Sequence, residues 1–141
     1  MSLSLAQRTI TGTINAAAWE IIAGTQGARI YEIGVSLVTA TASLLAIGRP
    51  AAIGVTPTAP VLFEDANGAS GIVAGAVAWG TPPTAPVRFV RRVSLPAAVD
   101  THVFEFWSGA KRGLTIPAGG SLVVWNLAAN SILDVWAVLD Q

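Results

Sequence analysis

The chain's one histidine, His102, stands two residues after Asp100 and three before Glu105. An imidazole oriented by a carboxylate is common equipment for proton transfer and for metal binding. Residues 101–107 alternate as a strand, however, which sends Glu105 to the face opposite His102, Phe104 and Phe106. With no second ligand or orienting acid in view, His102 reads as a half-buried strand residue, and no metal site is expected. Glu64 and Asp65 are adjacent and close to Asn67. They lack the spacing of a calcium loop and a third oxygen donor, so they read as a solvated turn. Arg88, Arg91 and Arg92 form the densest charge cluster, and Lys111-Arg112 a smaller one. Two uses stay open for it: contact with acidic groups or phosphate on a partner, or pairing with carboxylates across a sheet. The five tryptophans, Trp19, Trp79, Trp107, Trp125 and Trp136, suit a packed core, sugar-stacking platforms or interface anchors. No phosphate-binding loop, dinucleotide fingerprint, GxSxG or HExxH motif occurs, so no enzyme activity, catalytic residue or cofactor is expected.

Composition narrows the classes further. A chain of 141 residues suits one domain, spanning 1–141, with a real core. Its apolar fraction is 52%, its charged fraction 11% and its mean hydropathy +0.60, where soluble domains carry about 25% charge. Either a membrane or other protein chains must cover much of such a surface. The apolar stretches 33–48, 66–87 and 113–133 are too short, or too broken by Gly, Pro and Asn, for a spanning helix of roughly 18 residues. A transmembrane barrel fits poorly, because many strands are apolar on both faces and residues 1–8 carry no signal peptide. No membrane role is therefore expected. The absence of cysteine excludes disulfides, Cys-based zinc sites and a Cys nucleophile. Eight basic and eight acidic residues balance, so nucleic acid is not an expected partner. Seven of the eight basic residues are Arg, the cation best suited to interfaces.

The elements that must position these residues are strands. The clearest signal is 113–141, where three apolar runs are separated by the turn Pro117-Ala118-Gly119-Gly120 and by residues 128–130. Upstream, 9–14 alternates Thr with Ile or Gly, and 16–22 reads as a strand cut short by Gly24 and Gly27. Residues 29–41 place Ile33, Val35 and Leu37 on one face, and 43–47 either continues that strand or pairs back on it. Asn67-Gly68 favours a type I′ hairpin, and 71–79 is a strand of small residues. Residues 87–95 alternate, except that Arg91 falls on the apolar face. Residues 108–112 turn. The segment Thr58-Ala59-Pro60-Val61-Leu62-Phe63 is echoed by Thr84-Ala85-Pro86-Val87-Arg88-Phe89, which marks two similar loop-to-strand junctions. About eight to ten strands without a helix imply an all-β, two-sheet antiparallel sandwich of jelly-roll type, with a closed β-barrel as the alternative. Residues 1–7, with Leu3 and Leu5, read as an N-terminal arm reaching a neighbour.

Several segments carry a family likeness. They are Ala28-Arg29-Ile30-Tyr31-Glu32-Ile33-Gly34-Val35, Leu45-Ala46-Ile47-Gly48-Arg49-Pro50 before a Pro/Thr/Ala loop, Leu114 to Asn126 with its IPAGGSL turn, and Leu133-Asp134-Val135-Trp136. In these the chain resembles small all-β structural proteins of tailed-bacteriophage virions, such as capsid decoration, head and fibre proteins. The resemblance implies a jelly-roll-like subunit, a homotrimer or another symmetric oligomer, made in the host cytoplasm and located in the virion. Its partners would be itself and a major capsid or other virion protein, with no catalytic residues. Candidate interface residues are Arg88, Arg91, Arg92, Trp136, Leu3 and Leu5. The alternative is a tail or tail-fibre module that binds host glycans through exposed tryptophan. A cupin-like enzyme is disfavoured, since one histidine cannot supply its metal ligands.

Overall fold

Short strands separated by turns and proline-rich loops make up most of this chain. The computed structural model describes residues 1–10, 12–108, 111–128 and 132–141, with 107–108 and 111–112 as backbone only. Among these residues there is no helix and there are fifteen strands: β1 (Ser2–Arg8), β2 (Ala16–Ile22), β3 (Ala28–Leu37), β4 (Ser43–Gly48), β5 (Val55–Pro57), β6 (Val61–Glu64), β7 (Ser70–Ala76), β8 (Trp79–Thr81), β9 (Phe89–Leu95), β10 (Thr101–Glu105), β11 (Trp107–Ser108), β12 (Lys111–Arg112), β13 (Leu114–Ile116), β14 (Ser121–Ala128) and β15 (Leu133–Asp140).

Eleven strands form one antiparallel sheet in the order β10-β3-β15-β1-β6-β7-β2-β14-β4-β9, with β13 also paired to β3. The sheet curls until its two end strands, consecutive in the chain, face each other without a ladder between them. It is nearly a barrel. It is also nearly a sandwich, because β1 and β6 share a single bridge, Ser4 to Glu64. One layer is β10-β3-β15-β1 and the other is β6-β7-β2-β14-β4-β9. The all-β antiparallel architecture read from the sequence is thus present, lying between its two expected forms. The two echoed segments lead into β6 and β9, the two edge strands of the second layer.

Between the layers lies the core. Ile30, Ile33, Val35, Leu37, Leu133, Val135 and Leu139 point inward from the first layer, and Trp19, Ile21, Leu45, Ile47, Phe63 and Val124 from the second. Trp19 is fully buried, stacks near Phe63 at 6.1 Å, and donates its indole N–H to Gln7 Oε1 at 2.7 Å. Gln7 is an inward residue of β1, so a polar group inside the core is satisfied by its neighbour rather than left to cost several kcal/mol.

The outward face of the second layer is apolar over β2, β14 and β4, where the chain covers it itself, while Leu62 and Ile72 on β6 and β7 stay exposed. Residues 49–60 and 78–86 cross-link through β5 and β8, through Thr58 N to Ala78 O, and through Thr84 N to Ala52 O. The ribbon is fixed by Glu20, an outward residue of β2 that is 0% exposed. Its carboxylate accepts Trp79 Nε1 at 2.7 Å, Ser121 Oγ at 2.6 Å and Gly54 N at 3.1 Å. Ala46, Val123 and Trp125 are buried on the same face. The two-faced apolar character of β14 therefore reflects intrachain packing rather than a second subunit. Within the ribbon Thr56 and Ala59 hold φ values of 52° and 45°, each directly before a proline. Pre-proline residues seldom adopt that region, and the strain is of order 1–3 kcal/mol each.

Several expectations are corrected. Residues 1–7 are no arm: β1 pairs with β15 from Ser2–Asp140 to Arg8–Asp134, and Leu3 is 1% exposed. Residues 9–14 form no strand where described. Thr9 Oγ1 accepts Leu133 N and the carbonyls of Gly12 and Thr13 accept Asn126 Nδ2, so side chains replace a ladder there. β4 neither extends β3 nor pairs with it, lying instead between β14 and β9. At the 65–69 turn only Gly68 takes a positive φ, 82°, so it is not type I′. The Asp65 carboxylate shapes it instead, accepting the N–H groups of Asn67 and Ala69. Residues 108–112 belong to a β11–β12 hairpin whose tip lies outside the described residues. So do Thr11, most of the turn at 128–130, Ser131, and the side chains of Trp107, Lys111 and Arg112.

Glu20→Ala should cost about 2–4 kcal/mol, because three donors lose their shared acceptor. Hydrogen exchange should then rise at residues 52–57 before it rises in β14. Uniform exchange across both segments would mean the ribbon is not anchored at Glu20.

Candidate assembly surface

β9 is an edge strand, and an edge strand exposes unpaired backbone groups that other chains can join. Its register explains why Arg91 breaks the alternation. Arg91 stands opposite Ile47, a core residue, so its Cβ points inward. It escapes burial at the open seam. The guanidinium lies 5.2 Å from the centroid of the Phe106 ring and donates to Val90 O. An inward-pointing charge of this kind blunts an edge against strand addition. Arg92 stands opposite Ala46 and faces outward, and Arg88 precedes the strand. Both are exposed, and among the described residues neither has an ion-pair partner. Beside Arg88, Val87 is 85% exposed. The three arginines thus divide into one that closes the seam and two that are free.

The outward face of the first layer is the second feature, and three rows of registered residues define it. The middle row runs Ala6, Trp136, Gly34, Val103 across β1, β15, β3 and β10. Trp136 lies flat over Gly34: a Cβ placed on Gly34 would fall 1.9 Å from the indole ring. The ring edge is fixed by Nε1 donating to Glu32 Oε1 at 3.0 Å. Along one side runs the row Ser4, Val138, Glu32, Glu105. Along the other runs Arg8, Asp134, Ser36, Thr101, in which Arg8 forks onto Asp134 at 2.8 and 2.9 Å and Thr101 bonds Ser36. Val103 is 38% exposed and Ala6 is exposed, while Trp136, Val138 and Glu32 are half-buried.

Within it Glu105 stands directly opposite Glu32. Both face outward, since their neighbours Phe104 and Ile33 are buried. Like charges directly opposed on antiparallel strands, with Cβ atoms about 5 Å apart, repel. Glu32 has the Trp136 indole N–H, whereas Glu105 has no ion-pair partner among the described residues. These two carboxylates escaped the sequence reading because the β3–β10 register that joins them is long-range.

The other sequence candidates fall elsewhere. Leu3 is buried, and Leu5 is half-buried against the core, so neither is an interface residue of this fold. His102 sits at the core rim, edge-on to Phe104 at 4.6 Å, while Asp100 Oδ1 accepts the N–H of Thr101. No acid orients the imidazole. Two hollows mark the surface. One, polar and open, lies near the chain termini beside Arg29, Thr115 and Gln141. The other, about 280 Å³, is apolar and lined by Ile10, Ala17, Val77, Trp79 and Pro82.

Two carboxyls are held below their usual range: Asp134 chiefly by its hydrogen bond from Arg8, and Asp140 chiefly by its bond from the N-terminal ammonium. A carboxyl depressed in the folded state adds stability above its unfolded pKa, near 3.9, and loses it as pH falls through the folded value. Asp134→Asn should therefore flatten the acid limb of the stability curve below about pH 4 and change little at neutral pH, since the pair is solvated. Chemical denaturation at several pH values measures this, and an unchanged acid limb would contradict it. Separately, Gly34→Ala should destabilise by about 1–3 kcal/mol through its clash with Trp136, and far less in a Trp136→Ala background.

No family model matches the chain, and no curated protein or solved structure is significantly similar to it.

Proposed function

We propose that this chain is a non-enzymatic structural subunit of a multi-copy assembly, of the kind that decorates or cements a tailed-phage particle. One observation carries the reading. The outward face of the first layer carries an apolar row, Ala6, Trp136, Gly34 and Val103, between two mostly polar rows, and Ala6 and Val103 are exposed. The ribbon anchored on Glu20 shields β2, β14 and β4 of the second layer, whereas Leu62 and Ile72 on β6 and β7 stay exposed. In a chain with 11% charged residues, a half-buried indole flanked by Val138, Val103 and Ala6 is the arrangement that anchors interfaces. The virion assignment rests on the resemblance in the strands and the IPAGGSL turn described above. The expected partners are further copies of the chain and a lattice protein beneath them.

A second reading has its own support. Trp136 lies parallel to the sheet with its edge held by Glu32, and an indole face framed by carboxylates and hydroxyls suits a pyranose. A glycan-binding tail module would use that platform.

Sedimentation and light scattering over a dilution series separate the two. The assembly reading expects a stable oligomer, with Trp136→Ser raising the dissociation constant at least about 30-fold, the scale of an interface anchor, while circular dichroism stays unchanged. A monomer at all concentrations would overturn it. Tryptophan fluorescence that responds to a host surface glycan, and fails to in the same variant, would establish the glycan reading.

A further inference from the structure

The first layer's outward face and the exposed end of β9 are complementary in charge. On the face, Glu32 and Glu105 oppose each other beside the indole of Trp136, a pair that repels until a cation comes between them. At the edge, Arg88 and Arg92 are exposed cations without ion-pair partners among the described residues, and Val87 beside them is almost fully exposed. A guanidinium is the group that satisfies two carboxylates and an aromatic face together, forking onto the first and stacking on the second. Arg92 faces outward from the second layer, opposite Ala46, and Glu32 and Glu105 face outward from the first; among the described residues no ion pair joins the two surfaces within one molecule.

Resting on the assembly reading above, we infer that the occupant of the Trp136 face is the β9 edge of a second copy of this chain, with Arg88 and Arg92 reaching Glu32 and Glu105. Donor and acceptor surfaces then differ, and the contact is head-to-tail. Such a contact closes into a ring when its rotation allows, and otherwise propagates as a filament. The chain's zero net charge conceals this polarity. Arg91 has no part in it, because its guanidinium is held on Phe106.

Charge reversal tests the pairing. One variant carries Arg88→Glu and Arg92→Glu. The other carries Glu32→Lys and Glu105→Lys, with Glu105→Lys alone in its place should the double change fail to fold. Each variant alone should sediment as a monomer at concentrations where the unaltered chain is oligomeric, with at least a ten-fold loss of affinity. Mixed in equal amounts they should associate again, since each supplies the charge the other now needs, and only even-numbered or open assemblies should form. If the unaltered chain assembles and either variant assembles equally well, the pairing is wrong while the assembly reading stands. If both variants fail alone and the mixture stays monomeric, the pairing is also wrong. If the unaltered chain is a monomer throughout, both fall.

Discussion

A buried carboxylate decides which surface of this protein is inside and which is outside. Glu20 sits on the outward face of β2 with no exposure and no cation beside it. An isolated buried charge would be prohibitive. Three donors from three segments, Trp79, Ser121 and Gly54, make it tolerable. The consequence is architectural. The same hydrogen bonds pin the proline-rich ribbon, which carries the positive-φ residues Thr56 and Ala59, across β2 and β14, and the ribbon covers the apolar surface there. On the first layer's outward face, Ala6 and Val103 are exposed.

The curled sheet has two weak joints. At one, β1 and β6 share a single bridge; at the other, β9 and β10 share no ladder. Those joints make the fold a flattened barrel that behaves as two layers. They also create edges, which in natural sheets are blunted against unwanted pairing. Here Arg91 performs that task by turning an inward position into a cation stacked on Phe106. Prolines at positions 86 and 96 flank the same strand and cannot donate to a ladder. The edge is therefore closed to strand addition and open to side-chain contact through Arg88 and Arg92.

Much of the scaffold was legible in the sequence. Period-two alternation located β3, β9 and β10, and apolar runs separated by turns located β13, β14 and β15, with Pro117 and Gly119 marking the turn between the first two of these. The irregular register of Arg91 was visible before its reason was. β1 was misread as an arm although Leu3, Leu5 and Gln7 alternate with Ser2, Ser4 and Ala6, because seven residues with few β-branched side chains give a weak strand signal. Residues 9–14 erred the other way: their alternation is real, but Thr9 and Asn126 satisfy the backbone through side chains. Glu20 could not be recognised, since its three donors come from positions 54, 79 and 121. The opposition of Glu32 and Glu105 was likewise hidden, because a register between distant strands is not written in either of them. Trp136 was named from the sequence as an interface candidate, and its flat seat on Gly34 required the fold.

The central claim is that the Trp136 face is reserved for contact, while the part of the opposite face over β2, β14 and β4 is covered by the chain. Hydroxyl-radical footprinting across a concentration series addresses it directly. Trp136 and Val103 should become protected as the protein associates, while Val61, Leu62 and Ile72, exposed on β6 and β7, should stay reactive. Association that leaves Trp136 and Val103 as reactive as in the dilute protein would contradict the account.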